Sequence, residues 1–277
     1  MKRDIRLIAL DLDGTTFNSE KIITERTRAA IAAAIKKGVI VMPATGRPKN
    51  GLPESFTSIP GVRHALTSNG GAVVDLEEDR IIHGDFVDYE TGCRVIDLLM
   101  SMDALVEVYH DGICYADRTG YDKTMHTYRH MPEWFRSYVK KSRTPVDDLR
   151  EQVYSGRLKI EKFLASFDDV ALRQQLFERA EKIGNLSVVS GNAFNVEISS
   201  ATATKGHALL AFAAEMGIEP EQIMACGDSM NDQTMMAAAG LAVAMGNADE
   251  DIKALADYIT LSNDEDGVAC AIEQFIL

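Results

Sequence analysis

The sequence predicts an α/β protein, in which a second, α+β module is inserted into a doubly wound parallel sheet. Three observations lead to this prediction. Apolar runs of strand type alternate with helical patterns near both ends of the chain, as in parallel sheets covered by helices. The middle of the chain departs from that rhythm and carries a hairpin signal at Asp111-Gly112. With 277 residues, 46% of them hydrophobic, the chain is long enough for a core domain and a smaller second domain.

The first part of the chain, residues 1–83, opens with an apolar strand at residues 7–10. A helix is predicted over residues 24–37, where Thr24 can cap the amino end and Gly38 can end the helix. A second strand covers residues 39–43, and a third, at residues 65–68, runs into a tight turn. Each strand therefore ends in a short polar segment.

The alternation returns in residues 192–277. We predict a strand at residues 194–198, a helix after Lys205, and a strand at residues 222–226 that ends in the segment GDSMND. Further strands and helices follow to the end of the chain. Residues 1–83 and 192–277 are therefore predicted to form one domain.

The intervening residues 84–191 are predicted to form the inserted α+β module. The pattern indicates a helix at residues 89–102, a hairpin over residues 104–116, and a strand, helix and strand between residues 158 and 189. Between these lies an aromatic and basic stretch, from Tyr121 to Tyr138, which we interpret as irregular.

Charge and composition exclude several classes of partner. The net charge of -13 argues against nucleic acid, because affinity for its backbone comes from clustered Lys and Arg. The four cysteines are widely spaced and favour reduced thiols. The sequence shows no membrane span and no signal peptide. We expect a soluble cytoplasmic protein without a nucleic-acid or membrane partner, and the sequence predicts no particular oligomeric state.

The segment from Asp11 to Thr15, DLDGT, is the strongest chemical signal. It places two carboxylates where the first strand ends, and ligands of open parallel sheets bind at that edge. A calcium loop of the EF-hand type is excluded, because it needs glycine sixth and glutamate twelfth, whereas Gly14 is fourth and Ile22 is twelfth. An ordinary turn remains open, since Asp and Gly favour turns.

Three other segments share this position near strand ends or a helix start. Singly, each also has an ordinary explanation, because Thr45-Gly46-Arg47 suits a strand-to-helix turn, Lys205 a solvated helix, and Asp228 and Asn231 helix caps. The four segments in chain order are Asp11-Leu12-Asp13-Gly14-Thr15, Thr45-Gly46-Arg47, Lys205-Gly206 and Gly227-Asp228-Ser229-Met230-Asn231-Asp232.

Together these segments resemble the haloacid dehalogenase (HAD) superfamily, most closely its Cof-type phosphatases, which carry an inserted α+β cap of type C2. The resemblance covers the whole chain. It implies a Rossmann-like HAD core formed by residues 1–83 and 192–277, with residues 84–191 as the cap that selects the substrate. Two departures from the family pattern are Thr16, where an aliphatic residue is usual, and Thr204, where Ser or Asn is common.

Phosphoryl transfer needs a nucleophile, counter-charge and a proton donor for the leaving oxygen. Asp11 is placed to form an aspartyl phosphate, which divides one displacement into two easier ones. Mg²⁺ suits an oxygen site of few protein ligands. The resemblance implies that the metal is held by the Asp11 carboxylate, the Asp13 backbone carbonyl and Asp228, with Asp232 as a further ligand or as support.

The side chain of Asp13 is then available as general acid and base. The resemblance implies that Thr45 donates its hydroxyl to the phosphoryl group, and Lys205 offsets the charge between Asp11 and phosphate. Arg47 is predicted either to bind substrate or to pair with an acid. The remaining candidates for binding phosphate or substrate are Leu12, Gly46 and Gly70 through their backbone amides, and Asn69 and Asn231 through their side chains.

The expected activity is therefore hydrolysis of a small phosphorylated metabolite, with a sugar phosphate as the expected substrate. Asp13 argues against the dehalogenase branch of the superfamily, which lacks the second Asp of the first segment. Two alternatives remain open. A phosphomutase would use the same aspartyl-phosphate chemistry, and a non-catalytic sensor of a phosphorylated ligand would keep the fold without turnover.

Overall fold

The computed structural model describes residues 4–127, 132–167, 169–190 and 194–277. The chain divides into two compact units, and each is made of more than one stretch of sequence. The first unit consists of residues 1–46, 52–84 and 204–277, and the second of residues 47–51 and 85–203. Among the described residues, no helix combines the length and the apolar character needed to cross a bilayer.

The first unit is built on a parallel sheet of five strands in the order β14-β13-β12-β1-β2. β1 lies in the interior of the sheet, is fully buried, and pairs with β12 on one side and β2 on the other. A fully apolar strand such as LIAL suits a sheet whose two faces are both covered. The strands of this sheet are β1 (Leu7–Leu10), β2 (Ile40–Pro43), β12 (Ile223–Gly227), β13 (Leu241–Ala244) and β14 (Tyr258–Ile259).

The helices of the first unit pack with this sheet in one apolar core. Thr24 caps the first helix as predicted, because its side chain accepts a hydrogen bond from the Thr27 amide. These helices are α1 (Glu25–Lys36), α2 (Glu54–Thr57), α8 (Lys205–Glu215), α9 (Gln233–Ala238), α10 (Glu250–Lys253) and α11 (Gly267–Phe275).

Residues 64–84 do not continue the strand–helix alternation predicted for residues 1–83. They form an antiparallel sheet of β3 (His64–Thr67), β4 (Ala72–Asp75) and β5 (Arg80–Gly84). The connections between these strands are too short to hold the helix that a parallel crossover needs. A parallel bridge between Ala44 and Leu66 places β3 beside the residue that follows β2.

The second unit contains a sheet of six strands in the order β10-β11-β9-β6-β7-β8. All of its strand pairs are antiparallel except β7 with β8. The strands are β6 (Leu105–His110), β7 (Ile113–Asp117), β8 (Arg143–Val146), β9 (Ile160–Ser166), β10 (Leu186–Val189) and β11 (Asn195–Ser200). The helices are α3 (Tyr89–Met100), α4 (Arg118–Thr127), α5 (Glu133–Ser142), α6 (Leu149–Tyr154) and α7 (Val170–Glu181).

Two predictions for this part of the chain were wrong. The stretch interpreted as irregular contains α4 and α5, although residues 128–131 within it lie outside the described residues. The strand predicted at residues 194–198 is present as β11, but its assignment to the core domain was wrong, because β11 pairs with β9 and β10 of the second unit. Val196 and Ile198 are buried in the apolar core of that unit. The predicted boundary at residues 191 and 192 lies outside the described residues, and the chain re-enters the first unit at Thr204.

Candidate active site

The site is assembled where two neighbouring parallel strands end. Asp11 directly follows β1, Asp228 directly follows β12, and Leu10 is paired with Cys226. The Asp11 amide donates a hydrogen bond of 3.0 Å to the carbonyl of Cys226, which continues the pairing by one residue. Because parallel strands end at the same edge of a sheet, the two carboxylates emerge together.

Three carboxylates meet at this edge. One oxygen each from Asp11, Asp228 and Asp232 lies within 4.8 Å of the other two. Asp11 and Asp232 are buried and Asp228 is partly buried. Buried acids of like charge are costly unless a cation accompanies them.

Lys205 supplies one such cation. It is the first residue of α8, and the preceding Thr204 caps this helix by accepting a hydrogen bond from the His207 amide. The Lys205 side chain is fully buried, and its Nζ lies 2.6 Å from Asp11 Oδ1 and 2.6 Å from Asp232 Oδ1. One ammonium group thus bridges the candidate nucleophile and an acid of the fourth segment.

The pKa values in this cluster reflect burial first and neighbouring charges second. Burial raises the pKa of Asp11 well above its ordinary value, and Asp232 raises it further, while Lys205 opposes both. Burial likewise raises the pKa of Asp228 to about 6, against the hydrogen bond from Thr15. Burial disfavours the ammonium of Lys205, but Asp11 and Asp232 outweigh it and raise the pKa of this lysine.

Asp232 has both carboxylate oxygens engaged within the protein. Its Oδ1 accepts from Lys205, while its Oδ2 accepts from the backbone amides of Asp228 at 3.0 Å and Ser229 at 3.2 Å. These contacts tie the fourth segment to Lys205. Of the two roles considered for Asp232, they favour support over metal ligation.

The donor set fits a divalent cation with oxygen ligands. Three ionised carboxylates and one ammonium would leave two negative charges at a largely buried position. Among the described residues, the candidate ligands that meet here are the three carboxylates, with no thiolate or imidazole in the group, and carboxylate oxygen is a ligand that Mg²⁺ prefers. The charge balance and the ligand chemistry therefore agree with the metal predicted from the sequence.

Asp13 lies at the turn beyond Asp11, and its side chain is 42% exposed. Its Oδ1 lies 2.9 Å from Nζ of Lys21, whose backbone is left-handed at φ 62°. Leu12, between the two acids, is fully buried. The two acids thus differ in environment, which suits two different chemical roles.

Thr45 and Gly46 follow β2 and are brought against the turn that follows β3. Thr45 is buried, and its carbonyl accepts a hydrogen bond of 3.0 Å from the Asn69 amide. A β-carbon on Gly46 would lie 2.9 Å from Asn69 Oδ1. Gly70 has φ +106°, and a β-carbon there would lie 2.2 Å from the carbonyl oxygen of Thr204. Glycine therefore permits the close approach of Gly46 to Asn69 and of Gly70 to Thr204.

Two further predicted residues, Asn231 and Arg47, have contacts of their own. Asn231 is exposed on the short 3₁₀ turn Met230–Asp232, and its Oδ1 accepts a hydrogen bond of 2.7 Å from the Ser229 hydroxyl. Arg47 belongs to the second unit, where its guanidinium stacks on the ring of Tyr138.

Three supporting residues were missed by the sequence analysis. The Thr15 hydroxyl donates to Asp228 Oδ1 at 2.8 Å and the Thr16 hydroxyl donates to the Asp11 carbonyl at 2.6 Å. Asn247 donates from Nδ2 to the Gly14 carbonyl at 2.8 Å. Thr16 was noted only as a departure from the family pattern. Its short polar side chain directly after the acidic segment was the available signal, whereas nothing local to Asn247 indicates its partner.

Comparison with known proteins identifies the class that this fold and site define. A family model described as haloacid dehalogenase-like hydrolase matches residues 8–272. Phosphatase YwpJ of Bacillus subtilis is 33% identical, with 96% of this chain and 98% of that protein covered. The chain therefore belongs to the haloacid dehalogenase-like hydrolase family.

Two further similarities narrow the class. The 5-amino-6-(5-phospho-D-ribitylamino)uracil phosphatase YcsE of B. subtilis is 31% identical, with 99% of this chain and 97% of that protein covered. A haloacid dehalogenase-like hydrolase structure from B. subtilis aligns with TM-score 0.82 and 29% identity, covering 99% of this chain and 100% of that chain. The protein is a HAD-superfamily phosphatase of the Cof type, which confirms the predicted family, fold class and enzyme class.

Proposed function

We propose that this phosphatase is Mg²⁺-dependent, acts on a sugar phosphate or a similar small phosphate monoester, and forms a phosphoenzyme on Asp11. One observation carries the proposal. The buried Asp11 carboxylate lies in one cluster with two further acids and is ion-paired to a fully buried lysine. Such a cluster brings together a carboxylate nucleophile and the positive charge that stabilises the negatively charged phosphoryl group.

In the first half-reaction, a carboxylate oxygen of Asp11 attacks phosphorus. A new bond forms between this oxygen and phosphorus, and the bond from phosphorus to the ester oxygen breaks. The electron pair of the broken bond remains on the leaving oxygen, which takes a proton from Asp13. Lys205 stabilises the negative charge beside Asp11 throughout, since its Nζ is held at 2.6 Å by that carboxylate.

In the second half-reaction, a water molecule attacks the phosphorus of the aspartyl phosphate while Asp13 accepts one of its protons. The bond from phosphorus to the Asp11 oxygen breaks, so the carboxylate is restored and inorganic phosphate is released. Asp13 has then regained the proton that it lost in the first half-reaction. The cycle therefore balances without any other reactant than water.

We infer that the carboxylates of Asp11 and Asp228, with the backbone carbonyl of Asp13, hold the metal ion. When bound, Mg²⁺ would neutralise negative charge between the carboxylates and the phosphoryl oxygens. Asp232 supports this set through its bonds to Lys205 and to the backbone amides of Asp228 and Ser229.

The phosphoryl oxygens also need hydrogen-bond donors. We infer that the hydroxyl of Thr45 is one of them, since this residue is held next to Asn69 by a backbone hydrogen bond. The proposed remaining contacts to phosphate or substrate are the backbone amides of Leu12, Gly46 and Gly70 and the side chains of Arg47, Asn69 and Asn231.

The substrate class is supported by similarity and by the proposed proton donor. The name of the relative YcsE states a phosphate on a ribityl group, which is a polyol. An alkoxide leaving group needs a proton in the transition state, whereas an aryl oxide leaves without one. A general acid at Asp13 is therefore most useful toward sugar or polyol phosphates. We further infer that the second unit selects among such substrates.

The test is hydrolysis of p-nitrophenyl phosphate with Mg²⁺ and with excess EDTA. We expect activity only with the metal, and Asp11→Asn should reduce kcat by at least about 10³, as expected for loss of a nucleophile. Asp251→Asn is a matched control, because Asp251 is an exposed acid on α10 outside the cluster. Undiminished activity in EDTA would overturn the metal assignment, and an active Asp11→Asn variant would overturn the nucleophile.

A further inference from the structure

The short segment Arg47–Gly51 belongs to the second unit, although it follows Thr45 and Gly46 of the first unit directly in the chain. Asn50 fixes the segment there at two points. Its backbone amide donates to the Gly112 carbonyl at 2.8 Å, and its Nδ2 donates to the Ser142 carbonyl at 3.0 Å. The position of Arg47 is therefore set by the second unit.

The Arg47 side chain stacks on an aromatic ring of that unit. Its guanidinium carbon lies 4.5 Å from the centre of the Tyr138 ring, and that of Arg143 lies 5.0 Å from the same centre. Guanidinium groups are attracted to aromatic rings at such distances. Tyr138, on α5, thus contacts two arginine side chains.

Arg143 is in turn fixed by a buried carboxylate. Its Nε lies 2.9 Å from Glu107 Oε1 and its Nη2 lies 3.2 Å from Glu107 Oε2, so the ion pair has two bonds. The side chains of Glu107 and Arg143 are 2% and 9% exposed. A continuous set of contacts therefore runs from β6 through Arg143 and Tyr138 to Arg47.

A stacked guanidinium is prepared for binding an anion. Stacking uses the face of the group, whereas hydrogen bonds to phosphate or carboxylate oxygens are donated from its edge. A long side chain that is already held loses less conformational freedom when the anion binds. Contacts of this kind improve substrate binding without taking part in bond breaking.

We propose that Tyr138 is a positioning residue that holds Arg47 for an anionic group of the phosphorylated substrate, and that it thereby lowers KM. The inference rests on the proposed function, in which Thr45 and Gly46, the residues before Arg47, bind the phosphoryl group. Tyr138 acts through Arg47 and not on the reacting atoms. Its removal should therefore change KM and leave kcat unchanged.

The experiment uses the full chain with p-nitrophenyl phosphate as substrate and inorganic phosphate as competitive inhibitor. Tyr138→Leu should raise KM and the inhibition constant of phosphate by about tenfold, equivalent to about 1.4 kcal/mol, with kcat within about twofold of the parent. Tyr138→Phe keeps the ring and should leave KM within about twofold. Tyr154→Leu is the matched control, because it removes a ring of the same unit whose centre lies 5.3 Å from the guanidinium carbon of Arg150.

A double-mutant cycle separates positioning from general damage. Arg47→Ala should raise KM as Tyr138→Leu does, and the double variant should be no worse than Arg47→Ala alone. If Tyr138→Leu does not fold, Arg47→Lys tests the same contact, because lysine keeps the charge but lacks the planar face. An unchanged KM in Tyr138→Leu would overturn the positioning role, as would an unchanged KM in Arg47→Lys where that variant is the test. Additive effects of the two substitutions in the cycle would overturn it as well. Absence of phosphatase activity in the parent protein would instead overturn the proposed function.

Discussion

Replacing Lys205 with methionine should destabilise the metal-free protein by about 3–5 kcal/mol, the usual cost of breaking a buried ion pair by removing one partner. Lys205 is fully buried and holds two carboxylates at 2.6 Å. Methionine has a similar length but no charge. Asp11 and Asp232 would then be left as buried carboxylates without their cation.

Asp232→Asn should also be destabilising, by about 1–3 kcal/mol, for a reason that the geometry makes specific. One oxygen of Asp232 accepts from Lys205 and the other accepts from two backbone amides. An asparagine has only one oxygen, so its amide nitrogen must face a donor whichever way it turns. In the Lys205→Met background this conflict disappears, because the asparagine oxygen can face the backbone amides.

The double variant should therefore be more stable than the sum of the single losses predicts, by about 2 kcal/mol. The assay is urea unfolding in EDTA, followed by far-UV circular dichroism. The loss caused by Lys205→Met should be smaller at pH 5 than at pH 8, because protonation neutralises the carboxylates that the substitution strands. Additive losses, or a loss independent of pH, would refute the reasoning.

Two further predictions concern the acids themselves. Because the pKa of Asp228 is raised to about 6, the folded protein binds a proton on this carboxylate more tightly than the unfolded chain does. The free energy of unfolding of the metal-free protein should therefore fall as pH rises from about 4 to about 6. Calorimetry should also show weaker Mg²⁺ binding below about pH 6, because the protonated carboxyl is a poor ligand. Asp13→Ala should be assayed by rapid mixing with an aryl phosphate. It should release about one phenolate per active site and then turn over slowly, with phosphate trapped on the protein, because the second half-reaction has lost its base. A slowed burst without trapped phosphate would contradict the role of Asp13.

The features that the sequence predicts well depend on local rules. Asp11 and Asp228 each follow an apolar strand directly, and adjacent parallel strands end at one edge, so their meeting was predictable. The contact between Lys205 and Asp232 was not, because it depends on where two side chains point after α8 and β12 have packed. Taken alone, the sequence around Lys205 and around Asp232 suits an ordinary helix or turn equally well.

The predictions for β11 and α5 were wrong for physical reasons that are partly visible in the sequence. β11 alternates Val196 and Ile198 with polar residues, a pattern typical of an antiparallel sheet with one apolar face, whereas β12 is apolar throughout. Its alternation was therefore a usable sign of the second unit. In α5, Trp134 and Tyr138 are four residues apart, as on one helix face, but the basic residues around them obscure the period.

The pairing of β1 with β12 imposes a delay during synthesis on the ribosome. Thr15 and Asp228 are 213 residues apart in the chain, and residues 85–203 of the second unit are made between them. At translation rates of about 5–20 residues per second, β1 waits roughly 10–40 s for its second neighbour. Through that interval an apolar strand has one unpaired edge, which is a hazard for aggregation. The second unit can be complete by then, so a nascent chain stopped before β12 would carry a folded second unit and an unfinished first unit.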